Sequence, residues 1–208
     1  MIILALMAGA VHRYFIVNKP YNMVSQFVSS HEVTLLGDLD FDFPEGTHAI
    51  GRLDNHSEGL LILTTNKKVT SLLFESKVPH KRTYLVKVKY EVSENSLEQL
   101  RKGISIQVKG GSYYTTSGCE VEIIQRPENL FESAHETTEY IPHTWLKMSL
   151  TEGKFHQVRK MVGAIHHRCV RLIRHSIEDL ELANLPAGGV REIDEAVFFQ
   201  QLKIGHPQ

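Results

Sequence analysis

The chain has 208 residues, 42% apolar and 23% charged, with two cysteines and a formal net charge of −1. That length and composition suit one soluble domain or two small lobes around a sizeable core, and they exclude a disordered chain. Cys119 and Cys169 are too few for a disulfide framework or a four-thiolate zinc site, and the near-zero charge does not announce a polyanion partner.

Residues 1–11 are apolar, but no basic stretch precedes them and they are too short to span a bilayer. They are expected to be a ragged extension before the first strand of a cytoplasmic protein that makes no membrane contact. Residues 13–18 (RYFIVN) predict a strand stopped by Lys19-Pro20, residues 34–39 a short helix, and Pro44-Glu45-Gly46 a turn. The apolar run 60–64 (LLILT) predicts a buried strand, followed by a helix over 67–76 capped by Asn66 and ended by Pro79. Residues 83–90 alternate, with Tyr84, Val86, Val88 and Tyr90 on one face, which predicts a half-buried strand. Residues 93–102 predict a helix with Leu97 and Leu100 inward and Gly103 as its stop.

Further strands are expected over 104–108, 113–116, 120–124, 144–150 and 169–174, with a solvated loop over 126–141. The clearest helix is 156–166, where Val158, Met161, Val162 and Ile165 recur at helical spacing. Many strands with few helices argue for an α+β fold with a mostly antiparallel sheet. Charge is segregated along this chain. Residues 147–174 hold seven basic residues and one acid, a net of +6, and residues 178–195 hold six acids and one arginine, a net of −5. The basic stretch reads as a polyanion-binding surface.

The most informative segment is Gly51-Arg52-Leu53-Asp54-Asn55-His56-Ser57-Glu58-Gly59-Leu60-Leu61-Ile62-Leu63-Thr64-Thr65-Asn66, a loop that delivers charged residues onto a buried strand. Two apart in extended chain, Arg52 and Asp54 share a face, so an ion pair between them is expected, which would keep the carboxylate ionised. The pattern GRLDxxSEGLLxLTxN resembles the catalytic motif of the RsuA-type bacterial ribosomal-RNA pseudouridine synthases. Three further segments resemble the same family in the same order: the Asn18-Lys19-Pro20 segment, the Lys81-Arg-Thr-Tyr84-Leu strand, and Glu152-Gly-Lys-Phe-His-Gln-Val-Arg159-Lys-Met with the Val170-Arg-Leu172-Ile-Arg strand after it. The resemblance runs from about Tyr14 to Ile193. Asn55-His56 stands where relatives usually carry another acid, and the loop over 127–140 falls where subgroups differ most.

The resemblance implies a pseudouridine synthase fold, a mostly antiparallel mixed sheet flanked by helices with a central cleft. It implies one catalytic domain over 12–205, built of two α/β lobes, without the S4 RNA-binding domain of many relatives. It implies isomerisation of uridine to pseudouridine in rRNA, and within the family it points to a subgroup acting on one uridine of 23S rRNA. Asp54 is implied as the catalytic carboxylate, attacking C1′ or C6 or removing a ribose proton. Arg159 is implied as its basic partner, and Arg52 as the side chain that fills the gap left by a flipped nucleotide. Tyr84 is implied to stack on the uracil and take the C5 proton, and Leu172 to form the apolar wall below it. Lys19, Lys154, Gln157 and Lys160 are the remaining candidates for RNA contact or cleft support. The enzyme is expected to be a monomer that needs no metal, nucleotide or redox cofactor. Twelve histidines show no HExxH spacing, and no CxxC is present. The alternative is a non-catalytic rRNA-binding or ribosome-assembly factor on the same scaffold.

Overall fold

The computed structural model describes residues 12–74, 78–133 and 140–205. Its organising feature is one sheet whose two halves meet at a parallel pair of buried strands. Strand β1 (Tyr14–Lys19) lies between β3 (Glu58–Thr64) and β11 (Val190–Ile193), antiparallel to both. Every residue of β1 and of β3 is buried, which accounts for the unbroken apolar runs in the sequence. The short β2 (His48–Ile50) also pairs with β3. The other half consists of β9 (Cys169–Ile177), β4 (Arg82–Lys89), β8 (His143–Leu150) and β7 (Glu120–Ile124), all antiparallel, with β10 (Leu180–Glu181) folded back on β9. The seam is the parallel contact of β3 with β9, where Gly59 pairs with Arg174. A Cβ on Gly59 would lie 2.4 Å from the Arg174 carbonyl oxygen, so only glycine permits this approach.

A separate hairpin, β5 (Ser105–Gln107) with β6 (Tyr113–Thr115), stands off the main sheet. Four helices cover the sheet. Asn66 caps α1 (Lys68–Phe74) by accepting from Lys68 N–H at 3.1 Å. Ser93 caps α2 (Glu94–Lys102), which ends at Gly103 with φ +93°. Helix α3 is Gln157–Ala164, and α4 is Glu195–Leu202, capped by Asp194 on two backbone N–H groups. Phe198, Phe199 and Leu202 of α4 are buried, and both phenylalanine rings pack on Tyr14. Each such side chain is worth about 1.5–3 kcal/mol of transfer free energy.

The α+β expectation and the mostly antiparallel sheet are met. Three expectations are corrected. Strand β4 is not half-buried: flanked by β8 and β9, it buries both Leu85 and Lys87 on the face taken as outer. The basic stretch over 147–174 is not one surface, because Arg171 and Arg174 are buried in the central strand and Lys147 pairs with Glu122 at 3.7 Å. The loop over 126–141 is not wholly solvated, since Leu130 and Phe131 pack against the core. Strands β2, β10 and β11 and helix α4 were not anticipated. The N-terminal extension and part of the 126–141 loop lie outside the described residues. No described helix is long and apolar enough to cross a membrane.

Candidate active site

The segment after β1 fastens the Asp54 loop. The Ser25 hydroxyl bonds both the N–H and the carbonyl of Leu53 at 3.0 Å. Asn22 N–H donates to the Asn55 carbonyl at 3.0 Å. Lys19, fully buried, donates from Nζ to the carbonyls of Pro20, Met23 and Asn55 at 2.9, 2.7 and 3.2 Å. Its burial pushes the ammonium pKa down to about 7, against the opposing pull of Glu58 and Asp54. Lys19 therefore supports the cleft rather than a phosphate, one of the two roles the sequence left open.

Asp54 opens a turn closed by Ser57 N–H on the Asp54 carbonyl at 3.0 Å. Its carboxylate swings toward α3, where His156 Nε2 stands 3.4 Å from Oδ1. Among the described residues no ion pair joins Arg52 to Asp54, and Arg52 is exposed. The expected Arg159–Asp54 pair is also replaced. Arg159 Nη2 donates to the His56 carbonyl at 2.6 Å and lies 3.4 Å from the Ser57 hydroxyl, so it braces the loop that carries Asp54.

The opposite wall comes from the seam. Tyr84 of β4 stands across from Arg174 of β9, and Leu172 lies two residues before Arg174 on the same face. The third wall is the segment leading into α3, ordered around Glu152. Tyr114 hydroxyl donates to Glu152 at 2.7 Å, Gln157 Nε2 at 2.6 Å and Ser117 N–H at 3.0 Å. Partial burial works against ionisation of Glu152, but these bonds outweigh it and hold its carboxyl below the usual range. Gln157 also accepts from Lys154 N–H at 2.7 Å. Its amide is buried and engaged at both ends, so it orders the loop rather than facing RNA. His156 takes φ +55° before the first turn of α3, which lets the chain enter the helix directly beside Asp54.

These three walls enclose a cavity of about 330 Å³ that brings Asp54, Arg52, Tyr84, Leu172 and Lys154 together. Arg159 and Lys160 stand on α3 outside the lining, with Lys160 over the Phe155 ring at 5.5 Å. Arg82, His156 and Arg174 line the same cavity and were not anticipated as site residues. Their signal was present: Arg174 closes the Val170-Arg-Leu172-Ile-Arg strand, and His156 lies inside the segment that precedes Arg159. The cavity thus gathers Arg52, Arg82, Lys154 and Arg174 around two carboxylates, Asp54 and Glu152.

Residues 13–164 match the family model for RNA pseudouridylate synthase. The chain belongs to that family. Ribosomal large subunit pseudouridine synthase E of Vibrio vulnificus is 36% identical over 186 residues, 88% of this chain and 76% of the relative. The protein of the same name from Xanthomonas axonopodis is 30% identical, covering 80% and 86%. Ribosomal small subunit pseudouridine synthase A of Escherichia coli is 28% identical, covering 88% and 71%. A solved pseudouridylate synthase superposes with a TM-score of 0.74 at 26% identity, covering 92% of this chain and 74% of that one. This RNA pseudouridine synthase therefore has the fold and the activity class that its motifs imply.

Proposed function

We propose that this synthase isomerises one uridine of large-subunit (23S) rRNA, with Asp54 as its catalytic carboxylate. The observation that carries the assignment is the contrast between the two carboxylates in the cavity. Glu152 is committed to three hydrogen bonds, whereas the Asp54 side chain is 29% exposed and, among the described residues, forms an ion pair only with His156. The large-subunit relatives, at 36% and 30% identity, are more similar than the small-subunit relative at 28%, which supports the 23S target.

The reaction breaks the N1–C1′ bond, turns the freed ring and joins C5 to C1′, with the C5 proton lost and N1 taking up a proton. Atoms and electrons balance without an oxidant or nucleotide. An ionised carboxylate at the mouth serves attack at C1′ or C6, or removal of a ribose proton. Tyr84 and Leu172, neighbours on one face of the sheet, form the apolar wall against which a flipped base would lie. Arg52, exposed at the rim, is placed to fill the gap the nucleotide leaves. Lys154, Arg159 and Lys160 border the entrance for the RNA backbone.

The test is Asp54→Asn, nearly isosteric and lacking only the ionised group. The variant is expected to fold and bind RNA as the wild type does and to form no pseudouridine in rRNA. Turnover well above background would sink the assignment. The 23S target is checked by mapping pseudouridines in both rRNAs of a deletion strain, where one site in 23S should disappear and 16S should be unchanged.

A further inference from the structure

Phe155 lies in the segment that leads into α3 and lines the cavity together with Asp54 and His156. It is 71% exposed. Single exposed apolar side chains are ordinary on a protein surface, so exposure alone assigns nothing. Phe155 differs in what holds its ring. The His156 ring stacks on it, with centroids 3.8 Å apart and planes 18° from parallel. Consecutive side chains diverge in a helix or a strand, whereas here His156 has left-handed backbone, at φ +55°, and the two rings stack. The same imidazole stands 3.4 Å from Asp54 Oδ1, so the Phe155 ring lies one layer beyond the neighbour of that carboxylate. A ring sandwiched on both faces could not leave the residue 71% exposed, so the face turned from His156 is open. The Lys160 ammonium is 5.5 Å from the ring centroid, and the exposed Lys154 precedes it in the chain. The mouth of the cavity thus carries an oriented aromatic face flanked by two ammonium groups.

We propose that the open face of Phe155 is the stacking platform for the base next to the flipped uridine. This rests on reading the Asp54 cavity as the uridine site. A nucleotide drawn into the cavity stays bonded to both neighbours, and each neighbouring base loses the ring it was stacked on. That loss is part of the cost of extrusion. An aromatic side chain at the mouth replaces the lost ring, because every base offers a π face and the contact needs no hydrogen-bond code. Phe155 suits this role for three reasons. It adjoins the reacting carboxylate through His156, its ring is held in place before RNA arrives, and it sits among ammonium groups that can meet phosphate. The phenyl ring has no donor or acceptor, so the platform eases flipping in any sequence and leaves the choice of uridine to other contacts. Arg52 and Phe155 divide the work: Arg52 fills the gap in the strand, and Phe155 holds the base at its edge.

The experiment uses synthetic rRNA fragments that carry the uridine found by the mapping experiment, either intact or with an abasic nucleotide on its 5′ or its 3′ side. Equilibrium affinity and single-turnover pseudouridine formation are measured for the wild type, Phe155→Leu, Phe155→Trp and Asp54→Asn. An abasic nucleotide on one of the two sides should weaken the wild type by about 5- to 100-fold in affinity or in rate, the scale of one base–aromatic stack. Phe155→Leu should lose a similar factor on the intact RNA and little more on the abasic one, because both changes remove the same contact. Phe155→Trp should keep the abasic penalty. The melting temperature of Phe155→Leu should match the wild type, since an exposed ring adds little to the fold. If Phe155 only buttressed His156, the leucine variant would be slow and still show the full abasic penalty, and that outcome overturns the proposal. So does a wild type that handles both abasic fragments like the intact one. Pseudouridine formation by Asp54→Asn overturns the reading of the site instead.

Discussion

Strand β9 carries two buried arginines, and comparing its two faces separates holding the fold from using it. Arg171 is matched by built-in acceptors: Nε and Nη2 contact Glu58 at 2.9 and 3.3 Å, and Nη2 donates to the Phe131 carbonyl at 2.9 Å. The Phe131 ring lies under the guanidinium at 4.9 Å. On the other face Arg174 donates from Nε to the Leu60 carbonyl at 2.7 Å and lines the cavity next to Tyr84. The same side chain at the same depth fastens two segments where it meets a buried carboxylate and helps wall the site where it does not. Through Phe131 and Glu58, Arg171 ties the segment after β7 to the start of β3, just after Asp54.

The largest expected effect lies on the fastened face. Arg171→Met should destabilise the protein by about 3–5 kcal/mol in urea titrations, because it leaves Glu58 charged and alone in the core. Combining it with Glu58→Leu should recover most of that loss. An Arg171→Met variant of wild-type stability with impaired turnover would break the contrast between the faces.

On the cavity face Tyr84 sharpens the comparison. Tyr84→Phe keeps the ring and should bind rRNA as the wild type does while blocking loss of the C5 proton. Tyr84→Leu should also weaken RNA binding, by about 1–3 kcal/mol. Binding at fixed salt beside single-turnover kinetics distinguishes the two. Wild-type turnover by both variants would return Tyr84 to the core.

A smaller effect is expected at Glu152, the carboxylate that braces the site rather than reacting. Its folded pKa lies below its unfolded value, so the unfolded chain binds the proton more tightly. The stability it contributes is present above the ordinary glutamate range near 4.5 and is lost as pH falls through the lower folded value. Urea midpoints below pH 4.5 should therefore fall more steeply for the wild type than for Glu152→Gln, and the two slopes should agree near pH 7. The smallest effect belongs to the rim. With Lys154, Arg159, Lys160 and Arg168 on phosphates, log affinity should fall with log salt at a slope of about −3, and Lys154→Gln should reduce that slope by about 0.7. A slope near zero would show that this side of the cavity does not face RNA.

Much of the site was legible before any fold was known, because local chemistry writes it. Asp54 sits among glycines and a turn, Ser93 and Asn66 cap their helices, and the fully apolar run of β3 declares burial on both sides. Asp194 ahead of Glu195 and the apolar Ala196–Phe199 run was an equally good helix signal and marks α4. The ion pairs expected for Asp54 were misassigned because spacing along a chain says nothing about where a turn points a carboxylate. Two residues apart suggested Arg52, whereas a helix start about a hundred residues downstream supplied His156.

By itself, then, the sequence determined that β3 is buried, where α1 and α2 begin, and which family motifs surround Asp54, since those depend on neighbours within a few residues. Only the tertiary structure decided which charges are available. Residues 147–174 count as +6 on paper, but β9 runs through the middle of the sheet, so Arg171 is neutralised by Glu58 and Arg174 is turned into the cavity. Lys87 looked like the solvent side of a half-buried strand and is buried near Trp145 because β8 and β9 flank it. The fate of a charge depends on the partners and the dielectric that distant segments bring to it, and no periodicity along the chain encodes either.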